Sequence, residues 1–220
     1  MTSTSALLNK KLRAQLFPIL RDAGFGHMDA RNAWSWQDDF IWVLNIRAVG
    51  AYFSSVTGWP PGSVSVWLGV FFTFAPRLRG LKSDDEGRLR PPEHSCHMRS
   101  NLVRGIEQSE FTRTLRNPAE QRRTDIWWVE PLGGNADEVA HDIATAMLSQ
   151  GLPWYAKTSN PKTALAMVEE QRDCFVKFAK AALLAKYIGD EQQWQRYDAL
   201  AEAEARRIGR GLDRNSWFGA

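Results

Sequence analysis

Two pairs of polar residues stand at alternating positions in segments that are typical of β-strands. One pair is Asn45 and Arg47, and the other is His97 and Arg99. Side chains two positions apart in a strand point to the same face, so each pair predicts a polar patch on one face of a sheet. Arginine favours planar, bidentate contacts to carboxylate or phosphate. Together with Trp67, which lies in a third strand-like segment, these residues predict a binding site for a ligand or partner.

The same residues also have a purely structural interpretation. Exposed polar side chains on a half-buried sheet need no function, and tryptophan at strand positions usually packs under a helix. Trp34 and Trp36 precede the first polar pair and can flank it in either case. The sequence is compatible with both interpretations.

Metal binding and catalysis are not predicted. His94, Cys96 and His97 stand close together, and thiolate and imidazole groups suit zinc. On a strand, however, Cys96 and His97 point to opposite faces, and no second ligand pair follows at zinc-finger spacing. The chain has no Gly-x-Ser-x-Gly, His-Glu-x-x-His or Walker-type motif. The sequence therefore predicts no catalytic residue, no metal ligand and no cofactor.

Alternating apolar residues predict an α+β fold, in which an antiparallel sheet of about five strands is packed by helices. The stretch at 32–74 carries five of the ten tryptophans. Asp38 and Asp39 predict a tight turn between the first two strands. The predicted strands lie at 33–37, 40–47, 63–74, 95–103 and 124–130.

Helical spacing of apolar residues predicts a first helix that ends at Gly24, a residue suited to the left-handed conformation at helix ends. A later helix is predicted after Asn135, because Glu138 three residues on completes a capping-box pattern. Both helices have one apolar side. We expect them to pack against the sheet.

The C-terminal part of the chain predicts a helical hairpin. Asn160 and Pro161 begin a helix whose apolar face continues to residue 188, and a last helix follows the break at Gly189. We therefore predict an α+β domain at residues 1–160, with a helical hairpin and tail at residues 161–220 packed on it.

Charge limits the class of partner. Basic residues number 28, most of them arginine, and the formal net charge is +3. Residues 77–123 mix basic with acidic side chains, whereas a nucleic-acid site normally shows a purer basic stripe with interleaved aromatic residues. The sequence thus argues against nucleic acid. The polar stretch at 75–92 predicts a surface loop.

Several features favour the cytoplasm. No apolar run approaches the ~20 residues that span a bilayer, which predicts that the membrane is not a partner. Lys10, Lys11 and Arg13 lie inside the apolar N-terminal stretch, whereas an export signal carries its basic residues before that stretch. The two cysteines are far apart, which argues against a disulfide framework.

Five short pieces of the chain occur in an order that is typical of one protein family. They are Ala23-Gly24-Phe25, Val43-Leu44-Asn45-Ile46, Leu68-Gly69-Val70, Cys96-His97-Met98-Arg99 and Gly151-Leu152-Pro153-Trp154. In these pieces the chain resembles a mainly bacterial, uncharacterised family, domain of unknown function 4304. The resemblance covers roughly the first three quarters of the chain and implies one domain, without a known activity. The chain departs from the family pattern after Asn45, where Arg47 and Val49 replace an expected Gln and a nearby Ser.

These observations favour a non-enzymatic intracellular protein whose Trp-rich sheet face or charged loops bind another protein. Interface cores are enriched in aromatic residues and arginine. An immunity or regulatory role in a bacterial conflict system is one concrete form of this hypothesis. The alternative is an enzyme or small-molecule binder that uses Asn45, Arg47, His97 and Arg99, for example on a phosphorylated ligand. The sequence does not specify the oligomeric state.

Overall fold

The computed structural model describes residues 4–76 and 81–211. Residues 77–80 of the predicted surface loop and residues 212–220 of the predicted tail lie outside the described residues. The strands are β1 (His27–Met28), β2 (Asn32–Trp36), β3 (Phe40–Ala48), β4 (Val64–Phe72) and β5 (Met98–Asn101). The helices are α1 (Thr4–Asp22), α2 (Ala51–Thr57), α3 (Ser109–Thr112), α4 (Pro118–Gln121), α5 (Ala136–Ala146), α6 (Leu152–Thr158), α7 (Pro161–Glu169), α8 (Phe175–Tyr187) and α9 (Glu191–Arg207).

The predicted α+β fold with a five-stranded antiparallel sheet is confirmed. The strands follow one another in the order β1-β2-β3-β4-β5. In the β1–β2 pair, His27 lies opposite Trp34 and Met28 opposite Ala33. The predicted turn at Asp38 and Asp39 joins β2 to β3, and the Gln37 N–H donates to the Phe40 carbonyl at 2.8 Å. Each strand therefore follows its sequence neighbour in the sheet.

The predicted strand at 124–130 is wrong. Within the described residues, only Trp127 of this segment pairs as a strand would, through two backbone hydrogen bonds to Val64 of 3.0 and 2.8 Å. The backbone groups of the next residue, Trp128, form hydrogen bonds to side chains and not to a strand. The Gln108 amide accepts from the Trp128 N–H at 2.8 Å and donates to the Trp128 carbonyl at 3.0 Å. The two-residue strand β1 completes the sheet in its place.

Asn135 does not form the predicted capping box. Its side chain makes no cap hydrogen bond to α5. The Oδ1 atom of Asn135 accepts from the Glu130 N–H at 2.9 Å, and Nδ2 donates to the Trp128 carbonyl at 3.0 Å. Because both amide atoms face backward along the chain, Asn135 closes the loop before α5 and leaves the helix uncapped.

A π-helical turn at Met147–Gly151 joins α5 to α6. Gln150 lies in this turn and holds the backbone of Val103. Its Oε1 accepts from the Val103 N–H at 3.0 Å, and its Nε2 donates to the Val103 carbonyl at 2.9 Å. Gly151 is buried, and a Cβ added there would lie 2.5 Å from the Met147 sulfur. Gln150 therefore links the π-helical turn to the backbone just beyond the end of β5.

The C-terminal hairpin is confirmed, but its first helix is shorter than predicted. α8 and α9 pack together around Phe175, Ala179, Ala201 and Ala205. The stretch at 170–174 is exposed and separates α7 from α8. It has almost no apolar side chain to bury, and tertiary packing of an apolar face provides most helical stability in proteins. The helix predicted from residue 161 to 188 is therefore two helices.

The described residues fall into two compact units. The first comprises those in 1–36, 42–69 and 99–153, and the second comprises those in 37–41, 70–98 and 154–220. In the first unit α1 packs on α5, with Lys11 Nζ 2.6 Å from the carboxylate of Asp137. In the second unit α8 packs on α7 and α9. The domain boundary at residue 160 stays a prediction. Among the described residues, no helix has the length and apolar character needed to cross a membrane.

Leu132 has a left-handed backbone, with φ 68° and ψ −2°, and its side chain is 80% exposed. This conformation costs a residue other than glycine about 1–2 kcal/mol. The following Gly133 also has a positive φ, of 78°, and a Cβ added there would lie 2.9 Å from the end of the Leu7 side chain. Leu132 therefore adopts a backbone conformation that suits glycine.

We expect Leu132→Gly to raise the free energy of unfolding by about 1 kcal/mol, because glycine adopts positive φ without steric cost. Urea unfolding of the full chain measures this change. Leu132→Ala is the matched control, since alanine also removes the exposed side chain but keeps the penalty. Equal stability of the two variants would contradict this prediction, because the strain relieved would then not exceed the conformational entropy that glycine adds to the unfolded chain.

Candidate functional site

Trp67 lies between two arginines on neighbouring strands. It belongs to β4, Arg47 belongs to β3, and Arg99 belongs to β5. The guanidinium carbon of Arg47 lies 5.9 Å from the centroid of the Trp67 ring, and that of Arg99 lies 5.6 Å from it. Both distances are within the range of cation–π interactions. We call these three residues the Arg–Trp–Arg surface, and all three belong to the first unit.

The Arg–Trp–Arg surface is accessible and fixed. Arg47 and Arg99 are exposed, and Trp67 is half-buried. The indole N–H of Trp67 donates to the Ser65 hydroxyl at 2.9 Å. Ser65 lies two residues earlier on the same face of β4 and is itself buried. This hydrogen bond sets the orientation of the ring on which the two guanidinium groups lie.

Arg47 carries a charge that no acidic neighbour balances within residues 4–76 and 81–211. It forms no ion pair with any described residue. A guanidinium that lies over a ring keeps its N–H groups in its own plane, where they can donate to a carboxylate or phosphate. Arg47 is therefore in a position to bind an external oxyanion.

Asn45 lies two residues before Arg47 on β3 and bonds within the protein. Its Nδ2 donates to the Asn32 side-chain oxygen at 2.7 Å and lies 3.5 Å from the Arg31 carbonyl. Asn32 belongs to β2, so the pair of amides links two strands of the sheet. Asn45 supports the strand that carries Arg47, and we do not include it in the surface.

The prediction that His97 points outward beside Arg99 is wrong. His97 is only 3% exposed and belongs to the second unit. Its Nδ1 accepts from the Phe72 N–H at 2.9 Å. Burial lowers the pKa of His97 to about 3, and the charge of Lys180 contributes in the same direction. β5 begins only at Met98, so the strand alternation that we assumed does not extend back to His97.

The His97 ring belongs to a row of stacked aromatic rings. It stacks on Phe72 with the ring centroids 4.9 Å apart, and Phe72 stacks on Phe74 at 5.2 Å. Phe74 in turn stacks on Tyr187 of α8 at 3.8 Å. The Tyr187 hydroxyl donates to the Asp39 carboxylate in the β2–β3 turn. Within the second unit, this row connects the helical hairpin to strand residues.

A buried polar centre in the first unit had no signal in the sequence. The Asp142 carboxylate on α5 accepts from the Trp127 indole N–H at 2.7 Å and from the Gly105 N–H at 2.9 Å. Arg104 beside it donates to the carbonyls of Arg123 and Ile126 at 2.7 and 2.8 Å. Burial lowers the pKa of Arg104, against the opposing effect of nearby carboxylates that include Asp142. These groups bind one another, so their role is structural.

A second ion cluster in the first unit is also satisfied internally. Arg123 donates twice to Asp125, at 2.8 and 2.6 Å. Burial acts to raise the pKa of Asp125, but the hydrogen bonds and charge of Arg123, a backbone hydrogen bond and the charge of Arg104 together outweigh burial and lower the pKa. Glu120 accepts from the indole N–H of the fully buried Trp59 at 2.8 Å. The cluster anchors the loop that contains α4.

His94, Cys96 and His97, the cluster from which the sequence predicts no metal site, are not placed as a ligand group in the described residues. The Cys96 sulfur is buried and lies 3.8 Å from the Pro92 carbonyl, and His97 is in the aromatic row. Within the described ranges, no group of three or more His, Cys, Asp or Glu side chains is placed to hold a metal ion.

The fold and this geometry define an α+β protein that presents two exposed arginines around a tryptophan on its sheet. Comparison with known proteins finds no matching family model, no matching curated protein and no matching solved structure. The resemblance to domain of unknown function 4304 stays a prediction.

Proposed function

We propose that this chain is a non-enzymatic protein-binding protein and that the Arg–Trp–Arg surface is its binding site. The observation that carries the proposal is the pair of exposed guanidinium groups at 5.9 and 5.6 Å from one indole ring. Tryptophan and arginine are enriched among the residues that dominate binding energy at protein interfaces. A surface of these two residue types suits a protein partner.

The local geometry lowers the cost of binding. The Ser65 hydrogen bond orients the Trp67 ring, and the ring supports both guanidinium groups. Side chains that are already ordered lose less conformational entropy when a partner immobilises them. The surface therefore has the preorganisation of a binding site.

Two of the residues that the enzymatic alternative needs at a substrate, His97 and Asn45, are engaged within the protein. This alternative requires His97 beside Arg99 and Asn45 beside Arg47 as groups that reach a substrate. His97 is buried with a pKa of about 3, and the Asn45 amide bonds to Asn32. The two arginines and the tryptophan remain, and they favour recognition over proton transfer.

Photo-cross-linking in the host cell tests the proposal. We would place p-benzoylphenylalanine at Asn101, which follows Arg99 by two residues on β5. We expect one protein to cross-link there, and we expect the double variant Arg47→Ala, Arg99→Ala to lose it. Arg116→Ala is the matched control, because Arg116 is exposed and lies outside the surface.

Thermal melting checks that the variants fold, since solvent-facing substitutions usually change stability by within about 0.5 kcal/mol. A cross-link that persists in a folded double variant would contradict the proposal. The proposal is also contradicted if the cross-linker at position 101 captures only the proteins that a cross-linker at position 116 captures.

A further inference from the structure

We propose that the binding site continues from the Arg–Trp–Arg surface onto helix α2. There Tyr52 and Val56 contact an apolar side chain of the partner protein, while Arg47 binds one carboxylate of the same segment. This inference rests on the proposed function and names the chemistry of the partner. Three features of the first unit support it: the exposed side of α2, the packing that places α2 beside Arg47, and the charge of Arg47.

Helix α2 exposes apolar side chains on its outer side. Tyr52 is 85% exposed and Val56 is 66% exposed. These residues are four positions apart, so they lie one turn apart on the same side of the helix. None of the seven residues of α2 is buried. Packing of an apolar face provides most helical stability in proteins, and a partner that covers Tyr52 and Val56 adds such packing.

The inner side of α2 is held in place. Phe53 packs on a core cluster of Val49, Trp59, Leu115 and Ile126. The guanidinium carbon of Arg123 lies 5.7 Å from the centroid of the Phe53 ring. The helix ends at Gly58, which has φ 85° and donates its N–H to the Ser54 carbonyl at 2.8 Å. Because the helix is fixed, a partner that binds its outer side orders less of the chain.

The same cluster places α2 beside Arg47. Val49 follows Arg47 by two residues and continues the pairing beyond β3. Its N–H donates to the Ser63 carbonyl at 2.7 Å, and its carbonyl accepts from the Gly62 N–H at 3.4 Å. Val49 therefore shares the face of Arg47. Tyr52 follows Arg47 by five residues, which span at most about 18 Å when fully extended, so one short peptide segment can contact both.

Arg47 determines the charge of the partner segment. It is exposed and forms no ion pair within the described part of the chain. Its paired N–H groups match the two oxygens of a carboxylate. Arg99 has a further interaction within the chain, so we assign no anion to it. Since α2 carries no charged side chain, the site suits a peptide with one acidic residue better than a nucleic-acid strand with a charge at every nucleotide.

Fluorescence anisotropy with the full chain tests the inference. The probes are two labelled, capped nine-residue peptides of serine and alanine, with one leucine and one glutamate in either order. The two residues stand four positions apart, which is about 13 Å in an extended chain. We expect saturable binding of at least one peptide, and we expect Arg47→Ala and Tyr52→Ser each to weaken it about tenfold. Val56→Ser should weaken it in the same direction.

Two variants serve as matched controls. Leu148→Ser removes an exposed leucine from the π-helical turn, and Arg13→Ala removes an exposed arginine from α1. Both should bind like the parent chain, and thermal melting checks that every variant folds. Peptides with glutamine for glutamate, or with serine for leucine, should also bind about tenfold more weakly. These peptides test the same contacts with the protein unchanged.

Four results would overturn the inference. The first is no saturable binding of either peptide, or equal binding by folded Tyr52→Ser and Val56→Ser. The second is tighter binding of a twelve-residue oligothymidine that depends on Tyr52, which would assign the site to nucleic acid. The third is competition by inorganic phosphate at lower concentration than acetate, which would assign Arg47 to phosphorylated groups. The fourth is a dimer in sedimentation that Tyr52→Ser dissociates, which would make a second copy the occupant.

The cross-linking experiment separates this inference from the proposed function. If the protein captured at Asn101 is lost with the arginine double variant but still cross-links to a folded Tyr52→Ser, Val56→Ser variant, α2 is not part of the site and the proposed function stands. If the cross-link does not depend on the arginines, the proposed function itself fails.

Discussion

Asp142→Ala lowers the free energy of unfolding by about 3 kcal/mol, the largest single effect that we expect in this fold. The carboxylate accepts two hydrogen bonds, from the indole of Trp127 at 2.7 Å and from the Gly105 N–H at 2.9 Å. Trp127 is fully buried. Alanine leaves both donors without an acceptor, and an unsatisfied buried donor costs about 1–3 kcal/mol. Urea unfolding near neutral pH measures the loss.

Asp142→Asn is the control for this variant. The amide oxygen of asparagine can still accept from Trp127, so we expect a loss of about 1 kcal/mol. Trp127→Phe removes the indole donor and should make a following Asp142→Ala substitution less costly. If alanine and asparagine at position 142 are equally stable, the hydrogen bonds contribute little and the packing of α5 holds this region.

The pH dependence of stability carries the second large effect. The pKa of His97 is about 3 in the folded chain, below its ordinary value of 6.5 in an unfolded chain. The unfolded state therefore binds the proton more tightly, and stability is lost as the pH falls below 6.5. Between pH 8 and pH 5 we expect this one residue to remove about 2 kcal/mol.

His97→Asn isolates this contribution from that of the carboxylates. The asparagine oxygen can take the place of Nδ1 as the acceptor for the Phe72 N–H and does not titrate. Unfolding curves at several pH values should show a slope between pH 5 and pH 6.5 in the parent that is absent from the variant. Parallel curves would mean that the pKa of His97 is the same in the folded and unfolded chain, which would contradict the lowering that burial causes.

Periodicity was enough to predict most of the sheet. The alternation along β3 and β4, and the turn at Asp38 and Asp39, depend on residues next to one another in the chain. The segment at 124–130 shows where this reasoning stops. Trp127 pairs with Val64, but the amides of Gln108 and Asn135 bind the backbone beyond it. Those contacts join residues distant in sequence, which a local pattern does not reveal.

The candidate site was predicted in part for the same reason. Arg47, Trp67 and Arg99 lie on regular strands, where a period of two assigns the face correctly. His97 precedes β5, and a 3₁₀ turn at Glu93–Ser95 comes shortly before it, so the period does not apply there. Asp142 and Trp127 meet because a helix packs beside a bridged loop, and their spacing carries no signal.

The side-chain amide of Gln150 protects backbone groups at the edge of the sheet from pairing with another chain. β5 is the last strand in the sheet, and the end of such a strand normally offers backbone groups to any extended chain nearby. At Val103, just beyond β5, the amide binds both the N–H and the carbonyl as a neighbouring strand would. One glutamine therefore closes part of an edge at which aggregation could otherwise begin, and the π-helical turn is what places it there.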